Sequence, residues 1–354
     1  MLGSAVSSVH RSKRQTTPMT KTTARLRDVA AAAGVDASVV SRVLSGDRRL
    51  SIRPETRQRV IEAAARLNYR PNTAARTLKT ARTMAIGMIV PDLANVNYAT
   101  IAQGAEEQAA TAGYALLVAS GSHTERLGDL HGRIDGLLVG MATSETPRLG
   151  DFGAGLPALL VNRREPCGIA SVTVDDEEGA FVAVRYLISI GHSRIGHVAG
   201  PQNADTARRR LRGYERGLEA SGITRVAELV AESSFDEAGG NVAASRLLRL
   251  DPRPTALFVG NVRAAIGAMA AARRLGLSVP QDVSVVGFHD APFASYLDPP
   301  LTTVRMPLVE MGRQAVDHLL ALINGDAVDD TMVGTPPELV VRASAAAPVL
   351  SATP

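Results

Sequence analysis

A helical stretch from Ala37 to Leu44 carries the first chemistry legible in the chain. Val40, Val43 and Leu44 share one face, while Ala37, Ser38, Ser41 and Arg42 share the opposite one, because positions i, i+1, i+4 and i+5 cluster at about 3.6 residues per turn. Short side chains around a single arginine let a helix enter a major groove closely. Arg42 could then donate two hydrogen bonds to a guanine edge, Ser41 hold a phosphate, and Ala37 meet a thymine methyl. The plainer reading is the exposed polar face of any three-helix bundle.

Enzyme signatures are sparse by comparison. No lysine follows Lys79, so the rest of the chain has no P-loop lysine. Neither His-Glu-x-x-His nor Gly-x-Ser-x-Gly occurs, and the seven histidines do not pair with carboxylates at helical ligand spacing. The acidic run Asp175-Asp176-Glu177-Glu178 fits the start of a helix, where the dipole favours acids, with a magnesium site as the sharper alternative. Cys167 is the single cysteine, which excludes an internal disulfide and a multi-cysteine metal site and suits a reducing cytoplasm.

The charge distribution separates the chain into two parts. Up to Arg82 there are 17 Lys/Arg against 5 Asp/Glu, and beyond it 22 against 30. A basic head on an acidic body predicts a polyanionic partner for the head alone. With 354 residues, 45% hydrophobic and 21% charged, the chain has globular composition and room for two or three domains. Its longest stretch without Asp, Glu, Lys or Arg, Gln108 to Thr124, is broken by Gly, Ser and Thr, so no membrane span is expected.

Residues 1–23 are polar and aperiodic, which predicts a disordered arm without the apolar core of a secretory signal; Met19 is a second candidate start. Three amphipathic helices fit the apolar spacing from Leu26 to Tyr69, with Gly34 at the first inter-helix turn and Asp36 placed to cap the second helix. Pro71 separates them from a short helical stretch, Thr73 to Leu78. After Thr83, apolar runs alternate with helical segments: Met84–Val90, Tyr114–Ala119, Gly136–Val139, Ala158–Val161, Ile195–Ala199, Ala256–Val259 and Val283–Phe288. Such runs are expected of parallel strands covered by helices on both faces, and about 270 residues of them predict two lobes with a cleft between.

The run Asp28-Val29-Ala30, Gly34-Val35, Val39 to Gly46, Ser51, Thr56-Arg57 and Leu67 to Asn72 resembles the LacI/GalR family of transcriptional repressors. Ala74 to Lys79 is similar to that family's hinge helix. Ile86 to Asp92, Arg210 to Tyr214, Val283 to Phe288 and Pro300 to Val304 continue the likeness to about Arg342. The resemblance implies an N-terminal all-α helix-turn-helix DNA-binding domain followed by a two-lobed α/β sensor like the periplasmic binding proteins. It implies a disordered arm at 1–23, the DNA-binding domain at 24–70, the hinge at 71–82, an effector-binding and dimerisation domain at 83–342 and a tail at 343–354. Within the body, lobe 1 would take about 83–174 plus 304–325 and lobe 2 about 175–303 plus 326–342. To the DNA-contacting set Ala37, Ser38, Ser41 and Arg42 it adds Leu26, Ser45, Ser51, Asn72, Ala75, Leu78 and Lys79.

A hinge helix of about six residues is too short to be stable alone in water, so its folding should depend on a partner helix and DNA. In the family, paired hinges enter the minor groove and a leucine wedges between central base pairs; Leu78 stands at that position, with Lys79 beside it. An ordinary interdomain linker is the alternative.

Carried across residue by residue, the effector cleft would contain Asn162, Thr206, Arg210, Phe235, Asn261 and His289. Arg210 suits hydroxyl pairs or a carboxylate. Phe235 fits either a sugar face or the core, and Asn261 either a ligand or a helix cap. Three departures from the family pattern stand out. His289 replaces an acid in Gly287-Phe288-His289-Asp290, Asn162 stands where Asp often follows the strand, and Val262 stands where Asp usually follows Asn261. The loss of up to three acids beside a retained Arg210 predicts an effector with negative charge or extra acceptors, such as a sugar acid or sugar phosphate. Gly121 to Ile134 is also shorter than usual for the family.

Together these features predict a cytoplasmic, homodimeric, sequence-specific DNA-binding regulator, most simply a repressor. A small-molecule effector would control its affinity for a near-palindromic operator. It would need no cofactor, metal, catalytic residue or membrane. A solute-binding protein with a basic extension and a sugar- or nucleotide-modifying enzyme remain the rival readings.

Overall fold

The computed structural model describes residues 24–44, 47, 50–69, 82–121, 132–141, 155–166 and 168–349. The expectations for the arm 1–23, Ser45, the hinge with Asn72, Ala75, Leu78 and Lys79, Cys167 and most of the shortened Gly121–Ile134 segment lie outside the described residues. The chain separates into two compact units, 1–80 and 81–354.

Among the described residues the first unit holds three helices: α1 (Leu26–Ala33), α2 (Ala37–Leu44) and α3 (Pro54–Arg66). Val29, Ala30, Ala33, Val40, Val43, Val60, Ala63 and Ala64 form its buried core, matching the helical periodicity read from the sequence. Each helix start has a local cause. Asp28 accepts the Arg25 amide at 2.7 Å, Asp36 accepts the Ser38 amide at 2.7 Å, and Pro54 opens α3 where a missing N–H costs nothing. Gly34 ends α1 at φ 64°, a left-handed conformation that leaves other residues strained.

The second unit contains two six-stranded sheets. In the first, β1 (Ala85–Val90) lies between β2 (Ala115–Ser120) and β3 (Gly136–Val139). Beyond β3 come β4 (Ala158–Val161), β5 (Ser171–Thr173) and β11 (Thr331–Met332), all parallel. In the second, β6 (Ile195–Ala199) lies between β7 (Val230–Glu232) and β8 (Ala256–Val259), followed by β9 (Ser284–Phe288), β10 (Thr302–Arg305) and an antiparallel β12 (Glu338–Val340). The long apolar runs are the central strands. The strands β5, β7, β10, β11 and β12 go beyond the sequence reading, because they are short and interrupted by polar residues, which leaves no continuous apolar run. At the edge strand β2, Leu117 and Val118 are 43% and 40% exposed, so coverage of both faces does not extend to it.

Among the described residues six helices clothe these sheets: α4 (Val96–Thr111), α5 (Asp176–Ser189), α6 (Asp205–Glu219), α7 (Glu237–Leu247), α8 (Val262–Arg274) and α9 (Leu308–Asn324). None among the described residues is long and apolar enough to cross a membrane. The lobe boundaries need two corrections. Thr302–Arg305 lies wholly in the second sheet, and Thr331–Met332 pairs with β5 in the first, so 304–325 and 326–342 do not change lobes as blocks. The chain runs along the first sheet, with Val333 N donating to Thr173 O at 2.8 Å, before it crosses to β12. Nor does the tail begin at 343: Ser344 is buried and its hydroxyl donates to Val285 O at 2.6 Å.

Gly213 fixes the approach of α6 to α5. A Cβ there would stand 2.1 Å from the Glu177 carbonyl oxygen, a backbone atom that cannot swing aside. Gly213→Ala is therefore expected to cost about 1–3 kcal/mol in urea unfolding, whereas wild-type stability would show that the helices separate freely.

Candidate functional site

On the first unit, Ser38, Ser41, Arg42 and Ser51 are exposed, and Ala37 is half-buried beside them. The opposite face of α2 is buried through Val40 and Val43. Leu26 packs partly against the core. The hydroxyl and amide of Ser38 hold the Asp36 carboxyl below its ordinary range. Arg42 Nε is 2.8 Å from Asp47 Oδ2. That contact orients the guanidinium on the exposed face of α2.

In the second unit, the candidate residues Asn162, Asn261 and His289 stand just past the C-terminal ends of strands. His289 follows β9 and Asn162 follows β4, with φ of 71° and 61°. Positive φ at these two non-glycine residues is the kind of backbone strain that clusters at ligand sites. Arg210, on α6, is buried rather than part of a surface arginine run. Its Nε donates to Asp176 Oδ1 at 2.8 Å and its Nη1 to Gly260 O at 2.7 Å, while Nη2 approaches His289 Nε2 at 3.4 Å. The guanidinium also lies 4.3 Å from the Phe288 ring centre and 5.6 Å from that of Phe235.

Burial and the adjacent Arg210 charge push the His289 pKa well below its ordinary value, so the ring is neutral at pH 7. Asn97 Nδ2 stands 2.8 Å from His289 Nδ1. A guanidinium only donates, so Nε2 must accept from Arg210 and Nδ1 must carry the proton. That assignment turns the Asn97 amide so that its oxygen receives the proton.

Asp176 is the central residue that sequence reasoning passed over. It is fully buried on α5 and pairs with Arg209 Nη1 at 2.6 Å and Arg210 Nη2 at 2.7 Å. Burial works to raise its pKa, but the two arginines outweigh that and hold it below the ordinary value. The loss of acids inferred from the sequence is thus offset, because Asp176 answers the Arg210 charge. Its neighbours in the acidic run are also committed: Asp175 caps α5 by accepting the Glu178 amide at 2.9 Å, while Glu177 and Glu178 pair with Arg212 and Arg216. The run is a helix start joined to an arginine cluster, which leaves the magnesium alternative no free acids. The missed signal was periodicity, since Asp176 shares its stripe with Ala180, Ala183, Val184 and Leu187.

Several contacts cross between the lobes. Besides Asn97–His289, Arg163 donates to Thr206 Oγ1 at 3.0 Å, Arg208 pairs with Glu165 at 3.1 Å, and Arg263 pairs with Asp92 at 2.7 Å. A cavity of about 250 Å³ lies among them, lined from lobe 1 by Asn95, Tyr98 and Arg163 and from lobe 2 by Asn203, Phe235 and Asp236, among others. Of the expected effector residues only Phe235 lines this cavity; Arg210 and His289 touch each other behind it, and Thr206 joins through Arg163. Asn261 caps α8 by accepting the Arg263 amide at 2.8 Å. Asn162 is buried, and its Oδ1 has no hydrogen-bond partner.

Comparison with known proteins follows the same division. Residues 25–72 match the family described as bacterial regulatory proteins, lacI family, and residues 184–345 match the periplasmic binding protein-like domain. The chain is 33% identical over 338 residues to the HTH-type transcriptional repressor CytR of Escherichia coli (strain K12), covering 92% of this chain and 97% of that protein. It is 35% identical over 350 residues to the HTH-type transcriptional regulator MalR of Streptomyces coelicolor, covering 92% and 97%. The lac repressor dimer bound to operator and the anti-inducer ONPF superposes with a TM-score of 0.78 at 30% identity, covering 92% of this chain and 99% of that one. These relatives are regulators, which removes the solute-binding and enzymatic readings. A helix-turn-helix head with a helix face open to DNA, joined to a two-sheet sensor with a polar cleft, belongs to the LacI family of bacterial transcriptional regulators.

Proposed function

We propose that the protein is a cytoplasmic, nucleoid-associated repressor that binds a near-palindromic operator as a homodimer and releases or tightens its hold when a small molecule occupies the cleft. The observation that carries this reading is the cavity of about 250 Å³, bounded by both lobes and ringed by contacts that join them. A ligand there changes how the lobes close, and residues 71–82 connect that movement to the head. Paired hinges that fold only on DNA convert a change in their spacing into a change in operator affinity.

In this reading Arg42 reads a base. Ser38, Ser41, Ser45, Ser51, Asn72 and Lys79 position the duplex, Leu26, Ala37 and Ala75 pack against it, and Leu78 opens the minor groove. The effector is a sugar or sugar derivative, for which Phe235 offers a ring face in the cavity. Leu117 and Val118, apolar and exposed on the edge of the first sheet, suit a surface covered in the dimer.

Arg42→Ala is expected to relax discrimination at one base pair in each half-site by about 1–3 kcal/mol. Competition gel shifts against operator variants and random duplex measure this directly. Equal losses on operator and random DNA would remove Arg42 from the base-reading role.

A further inference from the structure

Arg163, Arg208, Arg209, Arg210 and Arg263 are all buried or half-buried, and four of the five have carboxylate partners. Arg210 faces Asp176, Arg209 faces Asp176 and Asp205, Arg208 faces Glu165, and Arg263 faces Asp92 and Glu237. Arg163 differs. It is 6% exposed, yet it donates only to the Gly140 carbonyl at 3.3 Å and the Thr206 hydroxyl at 3.0 Å, both neutral acceptors. Among the described residues no carboxylate pairs with it. Its neighbour Arg164, on the same turn of chain, is exposed and pairs with Asp330. A guanidinium carries five N–H donors and cannot shed its charge in a protein, so burying one beside neutral oxygens leaves it short of a counter-ion. The open side of Arg163 is the cavity, whose other walls include Asn95, Tyr98, Asn203 and Phe235 and two carboxylates that are already engaged, Asp92 with Arg263 and Asp236 as the cap of α7.

We propose that the cleft takes an anionic ligand, a monosaccharide-sized molecule bearing a carboxylate or phosphate group, and that Arg163 supplies the counter-charge. The inference rests on the reading of the cleft as the effector site. It transfers the anion preference from Arg210, whose charge Asp176 already answers, to a residue the sequence did not mark. The volume lies at or just below the small end of ligand pockets, about 300–1,000 Å³, and favours one ring over two. Because Arg163 also joins lobe 1 to Thr206 on lobe 2, an anion bound to it acts on the same bridge that holds the lobes together.

The test uses the full chain, with glucose, gluconate, glucose 6-phosphate and inorganic phosphate as probes at fixed ionic strength, followed by calorimetry and thermal unfolding. Wild-type protein is expected to bind at least one anion saturably and at least tenfold more tightly than glucose. Preference for gluconate or for glucose 6-phosphate distinguishes the carboxylate from the phosphate source. Arg163→Met should unfold at the same or a higher temperature than wild type without ligand, and should lose the anion effect at least tenfold. A purely structural bridge predicts the reverse: a lower unfolding temperature and undiminished anion binding. If Arg163→Met does not fold, Arg163→Lys keeps the charge without the planar fork and should weaken anion binding while leaving glucose unaffected. Phe235→Ala distinguishes loss of the Arg163 contact from loss of the cleft as the binding site. Anion binding that survives Arg163→Met but not Phe235→Ala overturns the Arg163 assignment and keeps the cleft, whereas binding that survives both overturns the cleft as well. Absence of any saturable anion effect, or tight binding of glucose alone, overturns the proposal.

Discussion

Asp176→Ala is expected to cost about 3–5 kcal/mol, the range found when one partner of a buried ion pair is removed and the other is left behind. The reason lies in what remains. Arg209 keeps Asp205 at 2.9 Å, but Arg210 is left with the Gly260 carbonyl and a neutral His289 in a site closed to water. Urea unfolding of wild type and variant reads the loss directly. Removing Arg210 as well, by Arg210→Met in the same chain, should restore part of the stability, since the stranded charge goes with it. A loss below about 1 kcal/mol for Asp176→Ala would mean that Arg210 finds water or another anion, and that the cluster is less closed than its burial shows.

The second large effect is acid sensitivity near neutrality. His197 is fully buried, stacked between Tyr214 and Phe258 at ring-centre distances of 5.0 and 4.8 Å. Its Nδ1 faces the Phe258 carbonyl at 3.1 Å, and its Nε2 has no partner. Burial lowers its pKa from 6.5 to about 4, and burial with the Arg210 charge moves His289 in the same direction. Between those limits the unfolded chain binds protons that the folded chain refuses, so stability is flat above about pH 6.5 and falls as pH drops through the window. Over the full span His197 alone accounts for about 3 kcal/mol, at about 1.4 kcal/mol per pH unit. His197→Phe should flatten the slope of unfolding free energy between pH 6.5 and 5 by one proton's worth. An unchanged slope would show that protons enter elsewhere.

The sequence disclosed these parts unevenly. The four- to six-residue apolar runs that became β1, β3, β4, β6, β8 and β9 were legible because a central parallel strand needs apolar side chains on both faces. Edge strands such as Thr331–Met332 are set by where the chain crosses, which no local pattern records. In the head, spacing alone separated Val40 and Val43 from Ser41 and Arg42. In the cleft, the dipole explanation of Asp175 to Glu178 was sufficient in itself and concealed that Asp176 faces inward. Arg163 and Arg164 are adjacent and chemically identical, yet one is buried between lobes and the other pairs at the surface. Only the packing of β4 and α6 against a common cleft distinguishes them. Similarly, the sequence is compatible with Asn261 as cap or as ligand, and only the fold places its carboxamide oxygen on the Arg263 amide.

The central claim is that the head holds a specific duplex and the cleft sets how firmly. It is tested most directly by an anisotropy titration of the full-length protein, at one salt concentration, on an operator recovered by genomic footprinting and on a scrambled duplex of equal length. The account predicts at least a thousandfold preference for the operator. It also predicts that a cleft ligand alters operator affinity by the same factor by which operator alters ligand affinity. Equal affinity for the two duplexes, or ligand binding that leaves operator affinity untouched, would contradict it.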